Sequence, residues 1–344
     1  MNFNDLHDPQ AAAELIQKFR KRFKTKTCMS PQDNHSGPII SAHTLSVESM
    51  LRKIARDSHV YSIKASVGSD SNTHPIVVKL VGLREVSVFN GFCRQHDKEL
   101  FSCLEDRPFQ FTRQQTFMLA FRAASRECYL KRKLFESLPT PEEFSKIHGI
   151  NEKLAYSEMA LVMQAGNLKG AEEAEMLKSQ LDKYFISSAW DRLETKVLLF
   201  PKTPTVIGTA AFQPFYDMNG NQLQEFDNLN IEMSQIMLSV IPIEAGTAAI
   251  FSWLDTSNNA PRRFFESVSR SKDITSAVIH ALVDNMENVA FNPQWYEGLS
   301  ESKKNYLHSR IMLFEATLNY SETATPHEKS PFLDDWGICT ENSF

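Results

Sequence analysis

The residues best suited to chemistry lie in Gly91-Phe92-Cys93-Arg94-Gln95-His96-Asp97-Lys98-Glu99-Leu100-Phe101. Cys93 and His96 are three positions apart, close enough to reach one metal ion, and a helical pattern begins directly after them. Zinc sites are commonly built from two such pairs separated in sequence. A second pair, Cys28 and His35, lies upstream, so the chain reads C-x6-H … C-x2-H. Four ligands in a tetrahedron suit Zn²⁺, and Cys28, His35, Cys93 and His96 supply them. The first spacing is longer than the usual two to four residues, and His43 is an alternative to His35 as the fourth ligand. The competing reading makes the two cysteines small buried hydrophobes and the histidines hydrogen-bonded structural groups.

These residues need elements to hold them. The spacing predicts a helix from Asp8-Pro9 to about Lys24, with Leu15, Ile16, Phe19 and Phe23 on one side. A turn around Pro31, Asp33 and Asn34 precedes a short strand over 38–42. Ser46 is placed to cap a helix over about 47–56. Residues 60–67 and 76–81 read as a hairpin, and 86–89 as a strand leading into Cys93. Five of the ten histidines (His35, His43, His59, His74, His96) fall in this window.

From Phe101 the pattern is helical. Thr112 is placed to cap a helix through Leu134, with Arg122, Arg126, Lys131, Arg132 and Lys133 forming a basic outer face. Thr140-Pro141-Glu142-Glu143 starts another helix. Residues 153–188 hold one or two long amphipathic helices broken near Gly166 or Gly170. Near Thr195 the period changes to strand-like segments at 197–200, 205–214, 222–224, 235–242 and 247–254. Asn219-Gly220 signals a type I′ turn and Glu244-Ala245-Gly246 a second hairpin turn. Helices are expected at about 261–270, 273–289 and 301–319, followed by a loosely ordered tail.

The fold class expected is α+β. A treble-clef-like zinc module with helices would be followed by an antiparallel sheet packed by helices. The segments are 1–110 (basic helix plus knuckle module), 111–190 (helical), 191–320 (sheet and C-terminal helices) and 321–344 (tail).

Composition narrows the function classes. Hydrophobic content of 42% and charged content of 23% are those of a globular protein. The longest apolar stretch, 236–254, is interrupted by Pro242, Glu244 and Gly246, which fits two strands and not a membrane span. The start of the chain lacks an apolar signal region and the five cysteines form no disulfide framework, so the expected location is the cytoplasm. Residues 1–150 carry 22 Lys and Arg against 16 Asp and Glu, a balance of +6; the remainder carries 15 against 26, a balance of −11. A basic half holding the knuckles suits a nucleic-acid partner. Lys18, Arg20, Lys21, Arg22, Lys24 and Lys26 read either as a phosphate-binding arm or as a solvated helix face. In a non-enzymatic reading, the C-terminal domain would bind a protein partner. Nucleotide-binding glycine motifs, G-x-S-x-G and HExxH are absent from the sequence.

The segment Gly91–Asp97 with Leu100-Phe101 and Glu105 resembles a motif of an uncharacterised bacterial family. In that family a first knuckle with two cysteines precedes an S-x-H strand, and a later tract resembles Tyr216-Asp217 … Gly220-Asn221-Gln222-Leu223-Gln224. On that comparison His35 takes the second cysteine's place and Ser41-Ala42-His43 continues the strand. The N-terminal part is also similar to the treble-clef zinc finger of HNH nucleases, where a knuckle precedes a histidine on a strand and a second knuckle opens a helix. That resemblance implies a structural Zn²⁺ and nuclease activity, in a setting of bacterial defence. It further implies His43 as general base and Asp97 as a ligand of a catalytic Mg²⁺. The chain departs from the HNH pattern in lacking C-x2-C pairs and a middle Asn, and in carrying Asp97 at the terminal metal position. Without catalysis, Asp97 would cap its helix and His43 would be a ligand or a buried hydrogen-bonding residue. The second function class is then a non-enzymatic interaction protein whose zinc only holds the fold.

Overall fold

The computed structural model describes residues 9–65, 76–140, 143, 158–225, 230–255, 258–313 and 333–343. Two apolar cores lie on opposite faces of one eight-stranded sheet. Along its central strands successive side chains point to opposite faces, as the two-residue strand period requires. Ile207, Met237 and Ile250 join one core, and their neighbours Val206, Leu238 and Phe251 join the other. Burial on both faces explains why these segments are apolar throughout and do not alternate. The chain is α+β, an antiparallel sheet packed by helices.

In chain order the elements are α1 (Pro9–Phe23), β1 (Ile39–His43), a π-helical turn (Val47–Leu51) running into α2 (Arg52–Ile54), β2 (His59–Ala65) and β3 (Ile76–Gly82). A 3₁₀ turn (Leu83–Glu85) leads to β4 (Val88–Cys93), α3 (Arg94–Glu105), α4 (Arg113–Ser137) and α5 (Glu158–Ile186). After a 3₁₀ turn (Trp190–Arg192) come β5 (Leu193–Phe200), β6 (Val206–Phe212), β7 (Ile236–Ile243) and β8 (Gly246–Leu254). The remainder is α6 (Ala260–Ser269), α7 (Ile274–Val283), β9 (Val289–Phe291), α8 (Pro293–Gly298), α9 (Glu301–Leu313) and β10 (Thr340–Ser343).

The large sheet runs β10-β5-β8-β7-β6-β9-β2-β3, and β1 pairs with β4 in a separate two-stranded sheet. The β2–β3 hairpin, close to the knuckles in sequence, therefore joins the C-terminal strands through β9, with Tyr61 opposite Phe291. Buried hydroxyls on the sheet pair across strands: Thr195 with Ser252 at 3.0 Å and Thr209 with Ser239 at 2.7 Å. The β7–β8 hairpin turns at Glu244-Ala245, with Gly246 at φ +133°. A Cβ there would lie 2.1 Å from the Phe200 carbonyl oxygen, so only glycine fits.

Several expectations are corrected. Gly166 and Gly170 do not break α5, which is continuous over 29 residues. Packing against α4 outweighs the roughly 1 kcal/mol that each helical glycine costs. Gly220 takes positive φ but Asn219 does not, so the turn is not type I′. Asp217 organises it instead, its side chain accepting from the backbone N–H of Asn219 and Asn221 at 2.8 and 2.9 Å. The 222–224 segment forms only an isolated bridge, Gln222 with Tyr216. The helix expected over 273–289 ends at Val283, and Val289–Phe291 is a strand. The end of the chain is built into the fold: β10 pairs with β5, and Trp336 is buried against Phe200. Thr140 does cap the turn that follows it, its hydroxyl accepting from the Glu143 N–H at 3.2 Å while its own N–H donates to the Glu143 carboxylate at 3.1 Å; the hairpin loop at 66–75 and residues 144–157 and 314–332 lie outside the described residues.

Candidate metal centre and the adjoining polar patch

Three short pieces of backbone bring the ligands together. The segment before β1 runs beside the end of β4: the Met29 N–H donates to the Gly91 carbonyl at 2.7 Å, and Thr27 to Asn90 at 3.3 Å. Gly91 makes room for the Phe89 ring, which a Cβ there would meet at 2.1 Å. Gly37, at φ +79°, turns the chain back so that the Arg94 N–H donates to the Pro38 carbonyl at 3.1 Å. Cys93 is then both the last residue of β4 and the N-cap of α3, and His96 sits in the first helical turn.

Cys28, His35, Cys93 and His96 each offer a ligand atom, and these atoms all lie within 4.8 Å of one another. The Nδ1 of His96 is 3.4 Å from both sulfurs. Tetrahedral zinc with bonds of 2.0–2.3 Å would place ligand atoms about 3.3–3.8 Å apart, so this corner of the cluster is already at coordination distance. His43 is not part of the group, and the fourth position belongs to His35. The cluster can hold a metal ion, and its sulfur and nitrogen donors suit zinc over the harder cations.

The surroundings favour bound metal. Cys93 and His96 are fully buried, Cys28 is half-buried and His35 is exposed. Burial holds the Cys28 thiol above its ordinary pKa. Burial also works against ionisation of Cys93, but N–H groups of His96, Ser36 and Gln95 together with Cys28 outweigh it and hold the thiol below its ordinary value. The far nitrogen of His96, Nε2, lies 3.1 Å from Asn34 Oδ1. Donation to that oxygen fixes the tautomer that leaves Nδ1 free for a metal.

On the other side of α3 is a second cluster. His43 ends β1 opposite Val88 of β4, and Asp97 follows His96 on α3. The chain beyond His43 is latched by Ser87, whose carbonyl accepts from the Thr44 N–H at 2.8 Å and whose hydroxyl accepts from the Leu45 N–H at 3.0 Å. His43 and Asp97 share two charged neighbours, since the field of Arg122 and Glu105 acts on both. Arg122 donates to Glu105 at 2.6 Å and lies over the Phe101 ring at 4.1 Å, and Ser46 donates to the other Glu105 oxygen at 2.5 Å. Among the described residues, His43 Nε2 and Asp97 Oδ1 are buried polar atoms with no hydrogen-bond partner. Burial lowers the His43 pKa and raises that of Asp97. A backbone hydrogen bond to Leu83 works in the opposite direction on His43, so one ring nitrogen faces that carbonyl while Nε2 is buried without a partner.

Arg122 corrects the sequence reading, because it is 2% exposed and ion-paired, not part of a basic outer face. Lys133 is likewise buried and bound to Glu136 at 2.7 Å. Asp97 does not cap α3, since the N-cap is Cys93. Asn90 is occupied by Ser41, which donates to it at 3.3 Å across the β1–β4 pair. On α1, Arg22 is held by Glu143 at 2.8 and 3.0 Å and the exposed Lys18 lies 3.8 Å from the same carboxylate, while Arg20 and Lys21 on the helix and Lys24 and Lys26 just beyond it are exposed. Sequence reasoning missed Ser46 and Arg122 as members of this patch. A buried arginine three turns into an apolar helix was their only signal. No helix is long and apolar enough to cross a membrane among the described residues. Comparison of the chain with protein-family models, curated proteins and solved structures finds no match in any of the three.

Proposed function

We propose that the chain is a zinc-stabilised, HNH-like nuclease that hydrolyses a phosphodiester with His43 as general base. The observation that carries this reading is the order of parts around the knuckle. A strand ending in His43 pairs with a strand that opens a helix bearing Asp97, and both residues present buried, unpartnered polar atoms beside one Arg122–Glu105 pair. Four protein ligands close the Cys₂His₂ site, so zinc there is structural and leaves no position for water or substrate.

The roles follow from the atoms. Burial keeps the His43 imidazole neutral near pH 7, and its Nε2 takes the proton of a water. The water oxygen bonds to phosphorus while the bond to the leaving oxygen breaks. Asp97 Oδ1 is an orphaned carboxylate oxygen fit to hold Mg²⁺, which when bound stabilises negative charge on the phosphate. Arg122 contributes fixed positive charge beside both residues.

The alternative is a non-enzymatic interaction protein in which zinc only holds the fold. It is favoured by one observation: Glu105, the other carboxylate of the patch, is already engaged by Arg122 and Ser46. Plasmid cleavage with and without Mg²⁺, by wild type and His43→Ala, separates the two. The nuclease reading expects Mg²⁺-dependent cleavage that His43→Ala abolishes while zinc content and melting temperature are kept. Absence of cleavage with any divalent cation, or loss of zinc and folding in His43→Ala, sinks it.

A further inference from the structure

The metal centre is open on one side. Cys93 and His96 are fully buried, whereas Cys28 is half-buried and His35 exposed, so solvent reaches the cluster at those two residues. The two sulfurs are held for each other as well as for an ion. Both lie 3.4 Å from the Nδ1 of His96, and all four ligand atoms lie within 4.8 Å of one another. The Cys93 N–H donates to Cys28 Sγ at 3.3 Å. That nitrogen is two bonds from the Cβ of Cys93, so Cys28 Sγ is within a side chain's reach of Cys93 Sγ. Flanking bonds from Thr27 to Asn90 and from Met29 to Gly91 fix the backbone of Cys28 against the end of β4. The backbone is thus already paired where the sulfurs meet, and closing a disulfide calls for movement of the two side chains.

The other cysteines are placed differently. Cys103 and Cys128 are buried, and burial raises both thiols, that of Cys128 to about 12. Cys339 is half-buried, and burial pushes its thiol up to about 11. All three are protonated at neutral pH and are poor nucleophiles. None of them belongs to a metal-ligating cluster among the described residues. In the zinc-loaded centre both sulfurs are thiolates, because coordination deprotonates a thiol outright. One accessible thiolate with a second cysteine in reach is the arrangement of a redox-sensing pair.

We infer that Cys28 and Cys93 form a peroxide-sensitive switch, in which their oxidation to a disulfide expels the zinc. The inference rests on the assignment of zinc to the cluster and does not depend on the nuclease reading. Cys28 Sγ attacks one oxygen of hydrogen peroxide: an S–O bond forms, the O–O bond breaks and hydroxide leaves, so the sulfur gives up two electrons and the peroxide is reduced. The Cys93 thiolate then attacks the Cys28 sulfur. The S–S bond forms, the S–O bond breaks and a second hydroxide leaves; two protons from solvent turn the hydroxides into water. His35 and His96 are the only ligands left, and two neutral imidazoles do not hold the ion against a chelator. A dithiol reverses the step, becoming a disulfide itself as Cys28 and Cys93 are reduced.

The test treats reduced, zinc-loaded protein with hydrogen peroxide in the presence of a chromophoric zinc chelator, followed by intact mass and non-reducing peptide mapping. Wild type is expected to release about one zinc per chain, to become lighter by two hydrogens, and to yield one cross-linked peptide joining Cys28 to Cys93. A dithiol should return both thiols and zinc binding. Cys339→Ser removes the other half-buried thiol and should release zinc at the wild-type rate. Cys28→His keeps a nitrogen ligand at that position and removes the accessible thiolate, so peroxide should release its zinc at least about tenfold more slowly. Zinc retained by wild type under excess peroxide overturns the switch and leaves the metal centre standing. Zinc released with Cys28 carried on to sulfinic or sulfonic acid, or with a disulfide to any other cysteine, overturns the switch as well. Reduced protein that carries no zinc removes the metal centre and the switch together. If Cys28→His does not fold or load zinc, the cross-link and its reversal in wild type decide alone.

Discussion

The backbone N–H of Cys93 points at the sulfur of Cys28, 3.3 Å away. One peptide group thus ties the two knuckles together and supplies a donor to a thiolate. Two sulfurs forced this close in an apolar setting are poorly accommodated without a cation, and a metal is what makes them mutually favourable. Protein purified without added metal is expected to carry about one zinc per chain, lost in Cys93→Ser with a fall in melting temperature. Asn34→Ala gives the finer test. It removes the acceptor for His96 Nε2 and should weaken zinc affinity 10–100-fold at little cost to the apo protein, read by competition with a chromophoric chelator. Unchanged affinity in Asn34→Ala would mean that the His96 tautomer is set elsewhere.

Glu105→Gln tests the pairing beneath the patch. It leaves the buried Arg122 guanidinium without its countercharge, while Ser46 and the Phe101 ring remain. Because Glu105 is one-third exposed, water recovers part of the loss, and the cost should be about 2–3 kcal/mol in denaturant unfolding, below that of a fully buried pair. A change under about 0.5 kcal/mol would make the pair a surface ornament.

The metal cluster was legible because its chemistry is local: residue types and short spacings carry it, and a strand pattern into Cys93 followed by helical spacing places it. The strands of the large sheet were legible for a similar reason, as apolar runs punctuated by turn residues. What escaped depends on distant partners. Arg122 sits on a helix buried on nearly all sides, so helical periodicity does not tell an inner charge from an outer one; its partner Glu105, on another helix, does. Val289–Phe291 is too short to announce itself and is a strand only because β6 and β2 flank it. The continuity of α5 through Gly166 and Gly170 is likewise decided by α4 and not by local propensity.

The end of the chain provides the strongest stability prediction. Trp336 is 1% exposed, lies 5.4 Å edge-on to Phe200, and donates through Nε1 to Asp334 at 2.9 Å and Thr205 at 3.1 Å. A loosely ordered tail would tolerate its loss. Here Trp336→Ala should destabilise the fold by about 3–5 kcal/mol and lower the denaturant midpoint, with the slope kept if unfolding remains one transition. A midpoint within error of wild type would detach the tail from the core.

His43 carries the pH dependence. Its folded-state pKa is depressed, with burial the chief cause, the charge of Arg122 adding to it, and the Leu83 contact and Glu105 opposing. A lowered histidine pKa means that the unfolded chain binds the proton more readily. The neutral-histidine contribution to stability is therefore present above the ordinary value of 6.5 and is lost as pH falls through it and then through the folded value. The same shift sets the rate profile. With neutral imidazole as base, kcat/KM should stay flat from neutral pH down past 6.5 and bend only on the acid side of it. An NMR titration of the His43 ring, run beside the pH–rate profile, checks both statements. An inflection above 6.5 in the titration would show that the ring is not held neutral by its surroundings. A rate profile that bends at a pH other than the titration midpoint would remove His43 as the base.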